Sequence, residues 1–162
     1  MKLAAMVTAI FLAGCEPTSA IHGAAESGDP RRVDTLLARG ADIDLSSPVH
    51  GSALSVAARR GDIPMIRHLL DKGADVNAGS PLSVAAWYGS EDVARLLIGK
   101  GADLNSGMPD SPLFATADRN RLSMISLLLS AGADPNGGAA GKTSVIFRFT
   151  RGSTFESPGH PA

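Results

Sequence analysis

Cysteine, aromatic side chains and net charge are what this chain has least of. A single Cys among 162 residues excludes a disulfide framework within one chain. Five Phe, one Trp and one Tyr are too few for the alternating aromatic and β-branched strands of a sheet protein. Fifteen Lys and Arg against 16 Asp and Glu leave a net charge of −1, with no basic stripe to steer the chain toward nucleic acid. In place of these stand 25 Ala, 17 Leu and 18 Gly. Ala and Leu favour helices that pack closely, and so many Gly must be stopping those helices.

Reactive chemistry is equally thin. His22, His50, His68 and His160 show no i, i+4 pair and no Cys beside them, so no metal site has the spacing it needs. No G-x-S-x-G occurs, and no pair of carboxylates shares a recognisable frame. The stretch from Asn136 to Thr143 approaches the phosphate-cradling pattern G-x-x-x-x-G-K-T, but Asn136 stands where the first Gly belongs and no apolar strand precedes it. The expectation is a chain without cofactor, metal or nucleotide, and not an enzyme.

The first fifteen residues read as an address. Lys2 precedes an apolar run from Leu3 to Ala13, which is too short to span a bilayer of about 30 Å as a helix. Leu12-Ala13-Gly14-Cys15 resembles the lipobox of bacterial lipoproteins, whose Cys is acylated and becomes the first mature residue. That resemblance implies a signal peptide over 1–14, lipidation of Cys15, a short tether over 15–20 and membrane contact through the lipid alone. With Glu16 after the Cys, it implies the outer membrane, facing the periplasm. The other reading is an ordinary signal peptide cut after Ala20.

Beyond residue 20 the chain repeats. Gly-Ala-Asp recurs at Gly40, Gly73, Gly101 and Gly132, with spacings of 33, 28 and 31 residues, the range of solenoid repeats. Seven residues before each marker stands Val33, Ile66, Ala94 or Ile125. Twelve before it stands Gly28, Gly61, Gly89 or Asn120, preceded by Ala24-Ala25, Ala57-Ala58, Ala85-Ala86 or Thr116-Ala117. The frame predicts two short helices per unit, the first ending at Gly or Asn and the second starting behind Asp29-Pro30 or Asp62. It resembles the ankyrin repeat, through Ser80-Pro81-Leu82-Ser83-Val84-Ala85-Ala86 and its three counterparts. The resemblance implies an all-α solenoid of stacked helix-turn-helix units with short hairpin or loop fingers. Four units occupy residues 21–140, a degenerate fifth start 141–152, and a disordered tail 153–162. From marker Gly to the next Leu of the T-P-L position the count is 14, 9 and 12 residues, so the finger between units two and three is clipped, leaving a gap in the groove.

In ankyrin solenoids the two residues after the Ala pair face the concave groove. Carried over, they are Glu26 and Ser27, Arg59 and Arg60, Trp87 and Tyr88, Asp118 and Arg119. The lone Trp and Tyr thus fall together beside two Arg, the side chains most enriched at interface hot spots. Trp87 could instead fold over to fill the gap. The fingers offer secondary contacts at Val49, His50, Met108 and Asp110, and His22 takes the position where the family's His bonds a neighbouring turn. The functional expectation is a membrane-anchored module binding one protein as an inhibitor, immunity-type protein or stress-linked adaptor. The alternative is an envelope tether without a single specific partner.

Overall fold

The computed structural model describes residues 17–106, 111–117 and 119–135. Among them stand eight helices and no strand. They pair as α1 (Pro17–Ser27) with α2 (Pro30–Ala38), α3 (Ala53–Arg60) with α4 (Ile63–Asp71), α5 (Pro81–Tyr88) with α6 (Glu91–Gly99), and α7 (Pro112–Ala117) with α8 (Leu122–Ser130). The all-α solenoid expected from the repeat is what forms. Helix α1 begins at Pro17, inside the stretch 15–20 read as a tether. The leader with Cys15, residues 136–162, Met108, Asp110 and Asp118 lie outside the described residues.

None of these helices exceeds 11 residues, a length at which an isolated helix is marginal in water. Packing must therefore hold them. The closest helix approaches are within each pair and along the row α1, α3, α5, α7. The Ala pairs explain that row: Ala24, Ala25, Ala57, Ala58, Ala85 and Ala86 are fully buried and bring only a methyl group between backbones. The second helices place larger side chains in the core, including Ile66, Leu69, Leu97 and Leu128, and stand further from one another. The first helices thus stand close in one row, with the second helices behind them.

Helix ends follow the residues read as stops. Gly28, Gly61 and Gly89 adopt positive φ, as does Asn120 at 52°. At Gly89 the positive φ of 78° is what requires glycine, since only the mobile end of the Arg121 side chain lies near its missing Cβ. Asp29 accepts from the backbone N–H groups of Arg31 and Arg32 at 3.0 and 3.3 Å, and Asp62 from that of Met65 at 3.0 Å. Both cap the amides that the first turn leaves without partners.

The repeated Asp residues form a ladder of turn hydrogen bonds. Asp42, Asp75 and Asp103 each accept from the backbone N–H two residues on. Asp44, Asn77 and Asn105 then accept from the backbone N–H of Asp75, Asp103 and Asp134 in the next unit, each at 2.8 Å. One chain of links stitches all four units along the finger edge. No helix among the described residues is long and apolar enough to cross a membrane.

Candidate functional site

The first finger is a small hairpin between α2 and α3. Ser47 and Gly51 exchange backbone hydrogen bonds at 3.0 and 2.9 Å, and Ser47 Oγ accepts from the His50 N–H at 2.9 Å. From below, His22 Nε2 meets the Gly51 carbonyl at 2.8 Å, the bond to a neighbouring turn implied for it. These bonds close the base and leave the tip bare: Val49 is 81% exposed.

The second finger lies flat. Ser52 Oγ donates to the Ala78 carbonyl and Ser55 Oγ to that of Gly79, both at 2.6 Å, pinning the short turn against the start of α3. Gly79 has a φ of 70°, and a Cβ there would strike the Ser52 backbone nitrogen. With one finger standing and the next pinned down, a cleft of about 540 Å³ opens between them. Ser46 to Gly51 form one wall, Ser55 and Gly79 the floor. The far wall is Ser80, just before α5, with Val84 and Tyr88 on that helix and Arg59 on α3 beside them. A second cleft of about 420 Å³ flanks the same finger on its other side, between it and His22 and Glu26 of α1. Arg59 Nη2 donates to Glu26 Oε1 at 3.1 Å, so a single ion pair joins the two clefts.

The expected anchor of Arg59, Arg60, Trp87 and Tyr88 is thereby divided. Arg59 and Tyr88 line the larger cleft with Val49 and His50. Trp87 turns the other way: it is half-buried against the core, and the Arg119 guanidinium stacks over its ring, 4.2 Å from the centroid. Arg60 is exposed, and Ser27 donates its hydroxyl to the Ala24 carbonyl of its own helix. The sequence reading missed Ser55, Ser80 and Val84. Helical spacing could have found them, since Ser55 is four residues before Arg59, and Ser80, Val84 and Tyr88 follow one another at intervals of four.

A small charged cluster stands away from the clefts. On the outer face Lys72 Nζ sits 2.8 Å from Asp34 Oδ1, and His68 Nε2 lies 3.0 Å from the same oxygen. The Lys72 hydrogen bond, opposed in part by desolvation, holds the Asp34 carboxyl below the ordinary carboxylate range, and the charge of Lys72 and the nearby His68 add to it. Among the described residues, no three His, Cys, Asp or Glu side chains come together as a metal site would require.

A family description of ankyrin repeats in three copies matches residues 21–108. No characterised protein matches the chain. The helix pair α7 and α8 lies beyond the three matched copies yet repeats their arrangement, down to the Asp134 N–H donating to Asn105 Oδ1. With the stacked pairs, the Ala row, the finger ladder and a match over more than half its length, the chain belongs to the ankyrin repeat family.

Proposed function

We propose that this protein is a non-catalytic module of the bacterial cell envelope that holds a protein partner in the cleft between its first finger and helix α5. Ankyrin repeats are generally protein–protein interaction modules, typically without catalysis of their own. One observation carries the choice of cleft. Val49 and Tyr88, 81% and 51% exposed, belong to the few large apolar side chains the described fold leaves open, and both line this one cleft. Exposed apolar area gathered in a concavity is what a binding site presents, whereas scattered exposed residues need no explanation.

Its working mode in this reading is that of an adaptor or inhibitor, gripping one partner by a hot-spot pair at the cleft walls. Capture of one partner from envelope extracts by the full chain should fall at least about tenfold for Val49→Ser combined with Tyr88→Ala, the effect of truncating hot-spot residues. Unchanged capture by that folded double variant would sink the assignment.

The anchor in this proposal is a lipid on Cys15. Its support is the run Leu3 to Ala13 followed by Leu12-Ala13-Gly14-Cys15, with the only Cys of the chain at the acylated position. More than one acyl chain on that residue would hold the protein stably, at about 0.8 kcal/mol per buried methylene. Glu16 favours the outer membrane. Metabolic labelling with a palmitate analogue should mark the wild type and leave Cys15→Ala unmarked; label on both, or on neither, refutes lipidation.

A further inference from the structure

The larger cleft has a sign. Among the described residues no Asp or Glu lines it, although the chain carries more acids than bases. The fingers' acids are drawn instead into the backbone ladder, where Asp42, Asp44, Asp75 and Asp103 accept backbone N–H groups at the solenoid edge. What faces the cleft is one guanidinium, Arg59, together with polar side chains that can donate. Ser80 begins α5 in the left-handed region, at φ 56°, and its hydroxyl makes no bond to cap the helix. Tyr88 at the far wall is half-exposed. Val49 and Val84 supply apolar surface on opposite walls.

Arg59 is already holding a carboxylate. Glu26 reaches it from α1 at 3.1 Å, and the side chains of the pair are 30% and 53% exposed. An ion pair this open to water is weak and readily exchanged. A ligand carboxylate that grips the guanidinium fork through two nitrogens competes with Glu26, which engages Nη2 alone. The volume, about 540 Å³, is that of a ligand site and can take a short run of peptide.

Resting on the cleft reading above, we propose that the occupant is an acidic segment of a protein partner, an Asp or Glu beside an apolar residue. Its carboxylate takes the Arg59 guanidinium from Glu26, while its apolar neighbour lies between Val49 and Val84. Glu26 thus acts as a built-in competitor that sets a threshold for binding.

A displayed library of random dodecapeptides, selected on the full chain, tests this. The selected peptides should carry Asp or Glu next to an apolar residue. As synthetic peptides they should bind Arg59→Gln about tenfold or more weakly, the loss of a hot-spot charge, and Glu26→Gln several-fold more tightly. Arg67→Gln on the outer face should bind as the wild type does. Raising the salt concentration should weaken binding to the wild type. Far-ultraviolet circular dichroism checks that the variants fold, and Glu26→Gln keeps the test decisive should Arg59→Gln be unstable. Neutral or basic peptides that still require Tyr88 overturn the acidic occupant and leave the cleft standing. Peptides indifferent to both Tyr88 and Val49 overturn cleft and occupant together. Selection of no peptide, unaltered affinity in Glu26→Gln, or Arg59-dependent binding of anionic lipid vesicles in place of peptide also overturns the proposal.

Discussion

The first two units and the last two are written in one frame but differ in the polar bonds their described residues make. Between units one and two run two ion pairs, Glu26 with Arg59 and Asp34 with Lys72, and a 3.0 Å hydrogen bond between His68 Nε2 and Asp34. The other ion pair among the described residues, Arg95 with Glu91 at 3.8 Å, stays within one helix. Second helices show the same gradient: Asp29 and Asp62 cap α2 and α4, whereas Ser90 and Arg121 make no side-chain cap for α6 and α8. So does the residue after the buried Ile or Leu of each first helix. His22 and Ser55 bond the next finger at 2.8 and 2.6 Å, Ser83 does so at 3.3 Å, and Phe114 has no side-chain donor. The later units keep the finger ladder and the Arg119–Trp87 stack but show fewer other polar bonds among the described residues, and α8 leaves Leu122 and Leu129 59% and 44% exposed. Directional polar bonds therefore concentrate where the standing finger and its two clefts must be held in place.

In a stack whose units touch only their neighbours, such a gradient should appear as uneven unfolding. The largest effect is expected from the buried leucines Leu54 and Leu113, each only 1% exposed. Either change to Ala should cost about 2–5 kcal/mol locally. Leu54→Ala, in the second unit, should bring helicity and Trp87 fluorescence down together in a urea titration. With Leu113→Ala the fourth unit should open first, so that loss of the Arg119 stack shifts Trp87 fluorescence at lower urea than the main loss of helicity. Coincident transitions in both variants would show that the solenoid unfolds as one body and that the gradient has no energetic weight.

A smaller contrast tests the caps. Asp62→Ala removes a bond to the Met65 amide and should cost about 1 kcal/mol, whereas Ser90→Ala in the same frame position removes none and should lie within about 0.5 kcal/mol of the wild type. Glu91 and Asp92 in the first turn of α6 favour its positive end by charge alone, so its start does not depend on Ser90. Equal losses at the two sites, measured by thermal melting, would remove caps from the comparison.

The smallest effect belongs to Asp34. Its carboxyl titrates below the ordinary 3.8 in the folded protein, so it contributes stability above that value, lost as pH falls through the folded pKa. Asp34→Asn should melt slightly below the wild type at neutral pH, and the two should converge once the medium is more acid than the folded pKa. A gap that persists in strong acid would mean that Asp34 acts by something other than its charge.

Much of this architecture can be read from residues alone. The marker Gly, the Ala pairs, Asp29 and Asp62 as caps, and the left-handed stops at Gly28, Gly61, Gly89 and Asn120 all follow from local conformational cost. Even the unequal fingers are a matter of counting. The candidate site was legible only in part. Trp87 and Tyr88 are neighbours in the chain, but successive residues on a helix point about 100° apart, so they meet different surroundings. Tyr88 faces the first finger, while Trp87 faces Arg119 in the fourth unit. Nor does any local rule foresee that Ser52 and Ser55 pin the second finger through the carbonyls of Ala78 and Gly79.

The scarcity of Cys, aromatics and net charge, with Ala, Leu and Gly in their place, pointed to short helices and their stops, and the recurring Gly-Ala-Asp marker fixed the number of units. Those are properties of a few residues acting on their own backbone. Which side chains share a cleft was decided only in the folded stack. Val49 and Tyr88 lie 39 positions apart in the chain, and they face each other because one finger stands, the next is held down, and the Ala row brings α3 and α5 close enough for both to matter.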